Sequence, residues 1–464
     1  MPDVRPAPAS FETVFDVVVI GAGACGLSAG LAAADGGAEV LVLERDGSAL
    51  GSTAMSTGLI PAAGMADQAA RGIPDSPEVF AKDIMKKTKG RTDAELVRVL
   101  AEESADTVTW LRDSHAAPLT LLDSFLYPGH SYMRMYGTPN RTGSELQAAL
   151  EAGLHAAGGN LLTDAAVESL YVEGETIKGV RVARPDGSSE DIGCGALVLA
   201  CCGFGGNAPL VKQWIPEMAE AVYHGHPGNK GDAIVWGDAL HAEMADMTGY
   251  QGHGGLAAGY GLPILWPVIM EGGYQVNTAG VRFSNEAEGY SEQAAKVNAQ
   301  PGHVAWTLFD ERLHTLMLEF DDYHDALRAG AVIQADSWAA LAAATGLPLE
   351  ALTATAEAAA ASTASQTPDA FGRVFAPRAP LTPPLRAVKV TGALFHTQGG
   401  LAVDGEARVK RAAGGVFPNL FAGGGAARGV SGPDAAGYMA GNGLLTATTL
   451  GKLAGRAAAA QTKG

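Results

Sequence analysis

The pattern of apolar and polar residues near the start of the chain predicts a strand, a helix and a second strand in close succession. Asp16 leads into the apolar, β-branched run 17–20, which is typical of a strand buried on both faces. The Ala- and Leu-rich stretch 26–34 predicts a helix, and residues 39–43 predict the next strand. The sequence therefore predicts a β–α–β unit that ends at Glu44.

Apolar periodicity and glycine-rich turns predict further elements and divide the chain into three segments. Helices are expected over residues 76–116, 144–157, 337–345, 349–362 and 442–460, and strands over 161–171, 176–182 and 196–200. Residues 250–385 lack the long apolar runs of parallel strands, whereas the chain after them returns to strands and glycine turns. We therefore expect an α/β fold in which residues 1–249 and 386–464 form one discontinuous, Rossmann-like domain and residues 250–385 form an inserted α+β domain.

Glycines mark the turn between the first predicted strand and the helix. Gly21, Gly23 and Gly26 have the spacing G-x-G-x-x-G, and Glu44 follows 23 residues after the first glycine. Gly21 allows a tight turn, Gly23 lets the backbone approach a pyrophosphate, and Gly26 lets the helix pack closely against the strand. Glu44 would accept hydrogen bonds from an adenosine ribose. The β–α–β unit is therefore predicted to bind a dinucleotide.

Two later segments have the small residues that suit close contact with a flat ring or a pyrophosphate. The first is the hydroxyl-rich loop 51–58, and the second is the glycine-rich turn that follows the predicted strand 196–200. The expected cofactor contacts in these segments are Ser52, Thr53, Ser56, Gly58, Ala200 and Gly203.

Charge and cysteine content narrow the class of protein. With 32 Lys and Arg against 50 Asp and Glu, the net charge of −18 argues against nucleic acid or an anionic membrane surface as a partner. The four cysteines form no C-x-x-C motif, so neither a c-type haem nor a disulfide framework is expected. The N-terminal residues do not resemble a signal peptide, and no run of 18 apolar residues indicates a membrane span. We therefore expect an acidic cytoplasmic enzyme.

Seven stretches, distributed in order over nearly the whole chain, resemble one known group of flavoproteins. They are the opening fingerprint, GSTAMSTG, VLACCGFGGN, GVRFSNEA, FHTQGGLAVDGEARV, PNLFAGGG and YMAGNGLL. Together they resemble the fumarate reductase and 3-ketosteroid dehydrogenase superfamily. The resemblance implies a glutathione-reductase-type FAD domain and a cap domain, with flavin and substrate between them. It also implies that the dinucleotide is FAD, and it adds these residues to the expected cofactor contacts: Ala24, Arg45, Gly424, Asn442 and Leu444.

Two tyrosines favour one branch of this superfamily. Fumarate-type reductases carry an arginine in a C-terminal R-L-G-G-N motif and another after an R-F-x-N-E segment, where this chain has Tyr438 and Tyr290. Ketosteroid 1-dehydrogenases have tyrosines at both places, so the resemblance is closer to that branch. Asn442 departs from it, because the steroid enzymes have glycine there, and Gly425 stands where many members have glutamate.

The resemblance implies desaturation next to a ketone, which needs a donor to the ketone oxygen, a base for the α-proton and a flavin to accept the hydride. A neutral tyrosine, with an ordinary pKa near 10, is a good donor, and a tyrosine with a lowered pKa can be a base. We expect Tyr438 to donate to the ketone, with the backbone N–H of Gly441 or Asn442 as the second donor. Tyr290 is the expected base, assisted by a tyrosine of the loop 127–136. The sequence does not decide which of the three tyrosines of that loop lines the pocket. They are Tyr127, Tyr132 (a candidate substrate contact) and Tyr136 (a candidate catalytic residue).

Two histidines widen the range of expected substrates. His253 and His396 match positions that bind a substrate carboxylate in fumarate-type enzymes. The candidate substrates are therefore 3-ketosteroids, smaller ring ketones and ring keto acids. Neither histidine has another His, Cys or acid at the spacing of metal ligands, and no metal is expected.

Two other functions fit the same residues. A flavin-dependent reductase of an activated double bond, in an enone or a fumarate- or urocanate-like compound, would run the same chemistry backwards. A flavin-binding protein without catalysis would leave both tyrosines without a chemical role. The sequence leaves the electron acceptor open, with a quinone and oxygen as the candidates.

Overall fold

The computed structural model describes residues 2–375 and 378–463, and its chain divides into two compact units. The first unit contains the chain up to Leu210, Gly225–Tyr250 and the chain from His396 onward. The second unit contains Val211–His224 and Gln251–Phe395. The larger segment of the second unit, Gln251–Phe395, begins one residue after the start predicted for the insertion at 250–385. It ends ten residues after the predicted end. The second unit also takes in the segment from Val211, which no composition change in the sequence indicates.

A nine-stranded sheet lies at the centre of the first unit. Its central strand, Thr13–Ile20, pairs in parallel with Val40–Leu43 on one side and with Ser189–Leu199 on the other. Asn160–Leu162 and Val416–Ala422 extend the parallel pairing outward. The β-branched residues of the central strand are buried, as the unbroken apolar run predicted. The predicted α/β fold is confirmed.

The remaining elements of the first unit surround this parallel core. The other strands are Asp3–Pro6, Ala166–Glu173, Thr176–Ala183 and Arg408–Lys410 in the same sheet, and Ile60–Pro61, Thr120–Leu121, Met135–Gly137, Met244–Ala245 and Gly400–Leu401 outside it. The α-helices are Ala24–Asp35, Ala66–Ala70, Pro77–Lys87, Ala94–Thr109, Gly143–Ala156, Asp232–Ala239 and Asn442–Thr462, and Ala208–Trp214 contains the change from the first unit to the second. The predicted helical stretch 76–116 and the predicted strand 161–171 are each divided in two. Lys89 and Asp164 adopt positive φ angles at the breaks, which neither a helix nor a strand accommodates.

The first and last helices of this unit pack closely against each other. Gly451 and Gly455, one turn apart on the last helix, face the backbone of Ala24–Asp35. A Cβ atom at either glycine would overlap a carbonyl oxygen, that of Cys25 or that of Ala29. Only glycine permits this approach, and the contact holds the middle of the last helix against the first two turns of Ala24–Asp35.

A six-stranded sheet lies at the centre of the second unit. Its longest strand, Leu385–Thr397, pairs antiparallel with Val304–Asp310 and Val332–Ala335. The other strands are Val222–Tyr223, Tyr250–Ala257 and Tyr274–Val276. The α-helices are Pro267–Met270, Tyr290–Asn298, Glu311–Met317, Asp321–Arg328, Trp338–Thr345 and Leu349–Ser365, of which the last two confirm predicted helices. Among the described residues, no helix is both long enough and apolar enough to cross a lipid bilayer.

Candidate active site

The predicted dinucleotide motif forms a helix N-terminus at the end of a buried strand. Gly23 caps the helix Ala24–Asp35, and the N–H of Ala24 donates to Thr53 Oγ1 at 2.8 Å. The Glu44 carboxylate, at the end of the second strand, accepts the N–H of Ala22 at 2.9 Å. The first-turn N–H groups of the helix and the acidic residue thus meet at one edge of the sheet, where pyrophosphate and ribose bind in such folds.

The three glycines of the motif have different neighbours. Gly21 has φ +101°, and a Cβ there would lie 2.6 Å from the carbonyl oxygen of Ala200. A Cβ on Gly26 would overlap the carbonyl oxygen of Gly21, so both glycines serve close packing of backbone. At Gly23 the nearest atom to a Cβ is Thr53 Oγ1, at 3.3 Å. The backbone at Gly23 is therefore open for the approach of a pyrophosphate, and the residues fit a dinucleotide.

The small-residue loop is held against this turn by its own hydroxyl groups. Ser56 Oγ donates to the carbonyl of Thr53 at 2.7 Å and accepts the N–H of Gly58 at 3.1 Å. Ser52 Oγ accepts the side-chain amide of Asn229 at 2.8 Å. The loop therefore holds its backbone in one conformation beside the motif.

The other predicted cofactor contacts lie in the same unit. Arg45 donates to the carbonyl of Gly228 at 2.9 Å and forms an ion pair with Asp232. Gly203 packs against Gly425. A Cβ atom on Gly425 would overlap the backbone of Gly203, in the turn after the strand Ser189–Leu199. The remaining predicted cofactor contacts also lie in the first unit. Gly424 lies beside Cys25, Asn442 is the first residue of the last helix, and Leu444 follows two residues later.

Tyr438 and His396 lie side by side in the first unit, with ring centroids 5.5 Å apart. Tyr438 follows a short helical turn and precedes the helix Asn442–Thr462, and its side chain is buried. Burial raises the pKa of Tyr438, and a hydrogen bond from the backbone of Gly441 opposes this only in part. Tyr438 is therefore a neutral phenol, which suits a donor and not a base.

His396 is held as a neutral imidazole. Burial lowers its pKa to about 4, and a hydrogen bond with the backbone of Thr397 opposes this only in part. The amide nitrogen of Gln398 lies 2.7 Å from His396 Nδ1. The carbonyl oxygen of Thr397 lies farther from the same nitrogen, at 3.5 Å. With the amide nitrogen of Gln398 facing the ring, Nδ1 accepts and Nε2 carries the ring proton.

The loop with three candidate tyrosines packs beside the Tyr438 turn. His130 Nε2 donates to the carbonyl of Ala440 at 3.0 Å. Tyr127 packs with Ala440 against one apolar cluster. Tyr136 is fully buried and donates its hydroxyl proton to Asp67 at 2.7 Å. Burial and this carboxylate raise the pKa of Tyr136.

A buried ion pair holds the same loop in place. Arg134 is fully buried and donates to Asp75 and Asp83 at 2.8 Å each. The third predicted tyrosine, Tyr132, is half-buried between His130 and Arg134 in the chain. Buried charges therefore hold the part of this loop around Arg134.

In the second unit, His253 lies at the centre of an aromatic cluster. Its ring stacks on Phe395 with centroids 5.3 Å apart, and the ring of Tyr290 lies at the same distance on a tilted plane. Trp266 meets His253 edge-on at 5.7 Å, and His224 lies 4.9 Å from Phe395. Burial lowers the pKa of His253 to about 3, so this histidine is also neutral.

The R-F-x-N-E motif of the sequence holds Tyr290 in place. Glu286 is fully buried and accepts hydrogen bonds from Arg282 at 2.7 Å and from Arg373 at 2.8 Å. Burial alone would raise the pKa of Glu286, but these cations lower it below its usual range. Glu286 begins a short helical turn that leads directly into the helix Tyr290–Asn298. The ion cluster thus fixes the start of the helix on which Tyr290 is the first residue.

Sequence reasoning missed several residues that define these two sites. Gln398 follows His396 at the spacing that puts two residues on one side of an extended chain, and this local signal could have indicated their contact. Trp266 and Phe395 are distant from His253 in the sequence, and no local pattern links them.

Comparison with known proteins identifies the cofactor of the dinucleotide site. Residues 16–444 match a family model described as FAD binding domain. The chain is 30% identical over 460 residues to the fumarate reductase (cytochrome) of Shewanella frigidimarina, covering 98% of this chain and 79% of that protein. It is 26% identical to the 4-oxocyclohexanecarboxylate 2-dehydrogenase of Sinomonas cyclohexanicum, over 98% of this chain and 94% of that protein.

Solved structures with the same fold include a fumarate reductase and a 3-ketosteroid dehydrogenase. A flavocytochrome c3 fumarate reductase in its open conformation has a TM-score of 0.85 at 27% identity, covering 98% of this chain and 80% of that chain. The 3-ketosteroid-Δ4-(5α)-dehydrogenase of Rhodococcus jostii RHA1 has a TM-score of 0.79 at 24% identity, covering 99% of each chain, which is a likeness of fold. These matches confirm the resemblance drawn from the sequence motifs and the prediction of FAD.

Proposed function

This chain belongs to the FAD-binding-domain family of oxidoreductases, and from that premise we propose that it introduces a C=C bond next to the ketone of a cyclic substrate. The observation that carries the proposal is the buried, neutral pair of Tyr438 and His396 at the N-terminus of the last helix. Bound FAD supplies the hydride acceptor for such a reaction.

Tyr438 acts as the hydrogen-bond donor to the ketone oxygen. Enolate charge develops on that oxygen as the α-proton leaves, and a preorganised donor in a dry site stabilises it strongly. The N–H of Gly441 bonds to the phenol oxygen of Tyr438, which polarises the hydroxyl and makes it a stronger donor. The N–H of Asn442 donates to the carbonyl of Met439 at 3.1 Å. Both backbone groups expected as the second donor to the ketone thus have partners within the protein, and we assign Gly441 a role through Tyr438 instead.

Tyr290 takes the α-proton. Its ring lies 5.3 Å from His253, and the buried ion cluster of Glu286 fixes the helix that presents it. The hydroxyl proton of Tyr136 is engaged in a hydrogen bond to Asp67. Tyr127, in contrast, packs against the same apolar cluster as Ala440. Among the loop tyrosines, we therefore assign the supporting role to Tyr127.

Two neutral imidazoles limit the charge of the substrate that the site would favour. His253 and His396 are both uncharged near pH 7, so each offers one N–H donor and no full positive charge. Such donors suit a ketone or a single carboxylate better than a dianion, whose burial requires compensating cations. The proposed substrates are accordingly ring ketones or ring keto acids, the second being the substrate class named for the relative from Sinomonas cyclohexanicum.

The test is the visible spectrum of the anaerobic holoenzyme during titration with cyclic ketones. The panel contains a 3-ketosteroid, cyclohexanone and 4-oxocyclohexanecarboxylate. Bleaching of the flavin band by one of these, with the unsaturated ketone recovered as product, is the expected result. An enzyme whose flavin none of the panel reduces would contradict the proposal.

A second candidate function is the reduction of an activated double bond, and the 30% identity to a fumarate reductase favours it. The same sample distinguishes the two functions. Chemically reduced holoenzyme is mixed with fumarate, or with a cyclic enone, under anaerobic conditions. Rapid return of the flavin colour with fumarate, and no bleaching by any ketone, would establish the reductase.

A further inference from the structure

A buried chain of three polar side chains connects His396 to the start of the last helix. Gln398 Nε2 donates to His396 Nδ1 at 2.7 Å, and Ser431 Oγ donates to Gln398 Oε1 at 2.7 Å. Asn442 Nδ2 in turn donates to Ser431 Oγ at 3.2 Å. Gln398, Ser431 and Asn442 are each at most 6% exposed. The Gln398 amide has a partner on both its nitrogen and its oxygen, whereas Asn442 Oδ1 has no hydrogen-bond partner among the described residues.

The direction of this chain determines which nitrogen of His396 carries its proton. Gln398 Oε1 is occupied by the hydroxyl proton of Ser431, so the amide presents its NH2 group to the imidazole. In this orientation the imidazole accepts at Nδ1 and carries its proton on Nε2, and the shorter contact, 2.7 Å to the amide against 3.5 Å to the carbonyl oxygen of Thr397, favours that tautomer. Gly443 adjoins Nε2, and a Cβ atom there would come within 3.4 Å of it. Glycine thus keeps the proton-bearing side of the ring clear.

We propose that Gln398 is a positioning residue that, with Ser431, holds His396 in the tautomer with its proton on Nε2, so that His396 donates a hydrogen bond to a carbonyl or carboxylate oxygen of the substrate. The second half of this statement rests on the proposed function, whereas the first half concerns the protein alone. Carbonyl and carboxylate oxygens only accept hydrogen bonds, so a fixed donor selects for them.

The substitution Gln398→Glu tests the tautomer directly. The side chain keeps its size, and one carboxylate oxygen still accepts from Ser431, but the other can only accept from the imidazole. His396 Nδ1 must therefore become protonated. The measurement is the ¹⁵N spectrum of holoenzyme labelled at histidine nitrogens, with the His396 signals identified by their loss in His396→Gln.

In the wild-type holoenzyme we expect the shift of an unprotonated Nδ1 and a protonated Nε2 at His396. In Gln398→Glu we expect the Nδ1 signal to move into the range of a protonated nitrogen. His253 is an internal control, because its Nδ1 accepts from the backbone N–H of Gly255 at 3.1 Å and should not respond. The exposed Gln461→Glu supplies the matched substitution control.

A protonated Nδ1 in the wild-type enzyme, or His396 signals that Gln398→Glu leaves in place, would overturn the positioning role. If Gln398→Glu does not fold, Gln398→Met replaces it, and the expected result is an average of both tautomers at His396 alone. Kinetics then test the second half. Loss of one neutral hydrogen bond predicts a KM for the ketone about 10-fold higher in Gln398→Met, with kcat changed less. If the spectra are as expected but KM is unchanged, the tautomer assignment holds. In that case His396 does not bind the substrate.

Discussion

The ring of Tyr438 stands edge-on to the ring of His396, with centroids 5.5 Å apart and an angle of 77° between the planes. Burial acts on the two groups in opposite directions, raising the pKa of Tyr438 and lowering that of His396 to about 4. Both side chains are consequently neutral at the same pH, and both carry a proton that they can share in a hydrogen bond. The pair can polarise an oxygen without bringing a charge of its own.

Replacing Tyr438 with phenylalanine should leave FAD bound and remove most of the desaturation rate. Loss of one donor to a developing oxyanion typically costs about 10²–10³-fold in kcat. The measurement is the anaerobic rate of flavin bleaching by a cyclic ketone that the wild-type enzyme oxidises. Tyr260→Phe, at an exposed tyrosine of the second unit, is the control and should bleach at the wild-type rate. A Tyr438→Phe enzyme with an unimpaired rate would rule out the donor role.

Replacing Gly23 with alanine should weaken the binding of FAD. The new methyl group would stand 3.3 Å from Thr53 Oγ1, which accepts the N–H of Ala24, so it would disturb the turn that is expected to hold the pyrophosphate. The ratio of flavin to protein absorbance after gel filtration, and titration of the apoprotein with FAD, measure the effect. Gly405→Ala is the matched control, because a Cβ there would also lie 3.3 Å from one side-chain atom, of Val99, and Gly405 is not among the predicted cofactor contacts. Equal retention of FAD by the two variants would contradict the assignment of the turn.

Replacing Glu286 with glutamine should destabilise the second unit. The substitution leaves the buried Arg282 and Arg373 without their shared carboxylate, and breaking a buried ion pair costs about 3–5 kcal/mol. Chemical denaturation followed by tryptophan fluorescence measures the loss. Glu95→Gln removes a carboxylate from an exposed pair with Arg98 and should leave the transition in place. A midpoint that is the same for both variants would show that the cluster is not a stabilising element.

Stability should fall as the pH is lowered from about 6.5 towards 4, and His130 should account for part of this. Burial, with the neighbouring Arg134, lowers the pKa of His130 from 6.5 to about 4. Between these two values the unfolded chain binds a proton that the folded chain does not, so the free energy of unfolding decreases with falling pH. The stabilisation is complete above pH 6.5.

The measurement for His130 is the Tm between pH 7 and pH 5. His130→Gln keeps a donor for the carbonyl of Ala440 and has no proton to take up, so its Tm should fall less steeply over this range. His155→Gln, at an exposed histidine of the first unit, should follow the wild-type curve. A slope equal to that of the wild type in His130→Gln would show that another group is responsible.

The sequence was most informative where structure depends on neighbours in the chain. The strand before Gly21, the glycine spacing and the position of Glu44 are all local, and the structure has each of them as predicted. The aromatic cluster around His253 joins residues from four separate stretches, and no periodicity in the sequence indicates it. The family motifs selected Tyr438 and His396, but the ring proton of His396 depends on Gln398 and Ser431, whose contacts exist only in the folded chain.

The closely packed glycines of the last helix also determine how this enzyme can be changed. Any side chain at Gly451 or Gly455 would overlap the backbone of the first helix, so a mutant library that includes these positions consists mostly of unfolded clones. Tyr438 and Gln398 lie outside the last helix, and neither is among the nearest neighbours of a Cβ at Gly451 or Gly455. Attempts to change the substrate should therefore keep both glycines and vary side chains outside this helix contact.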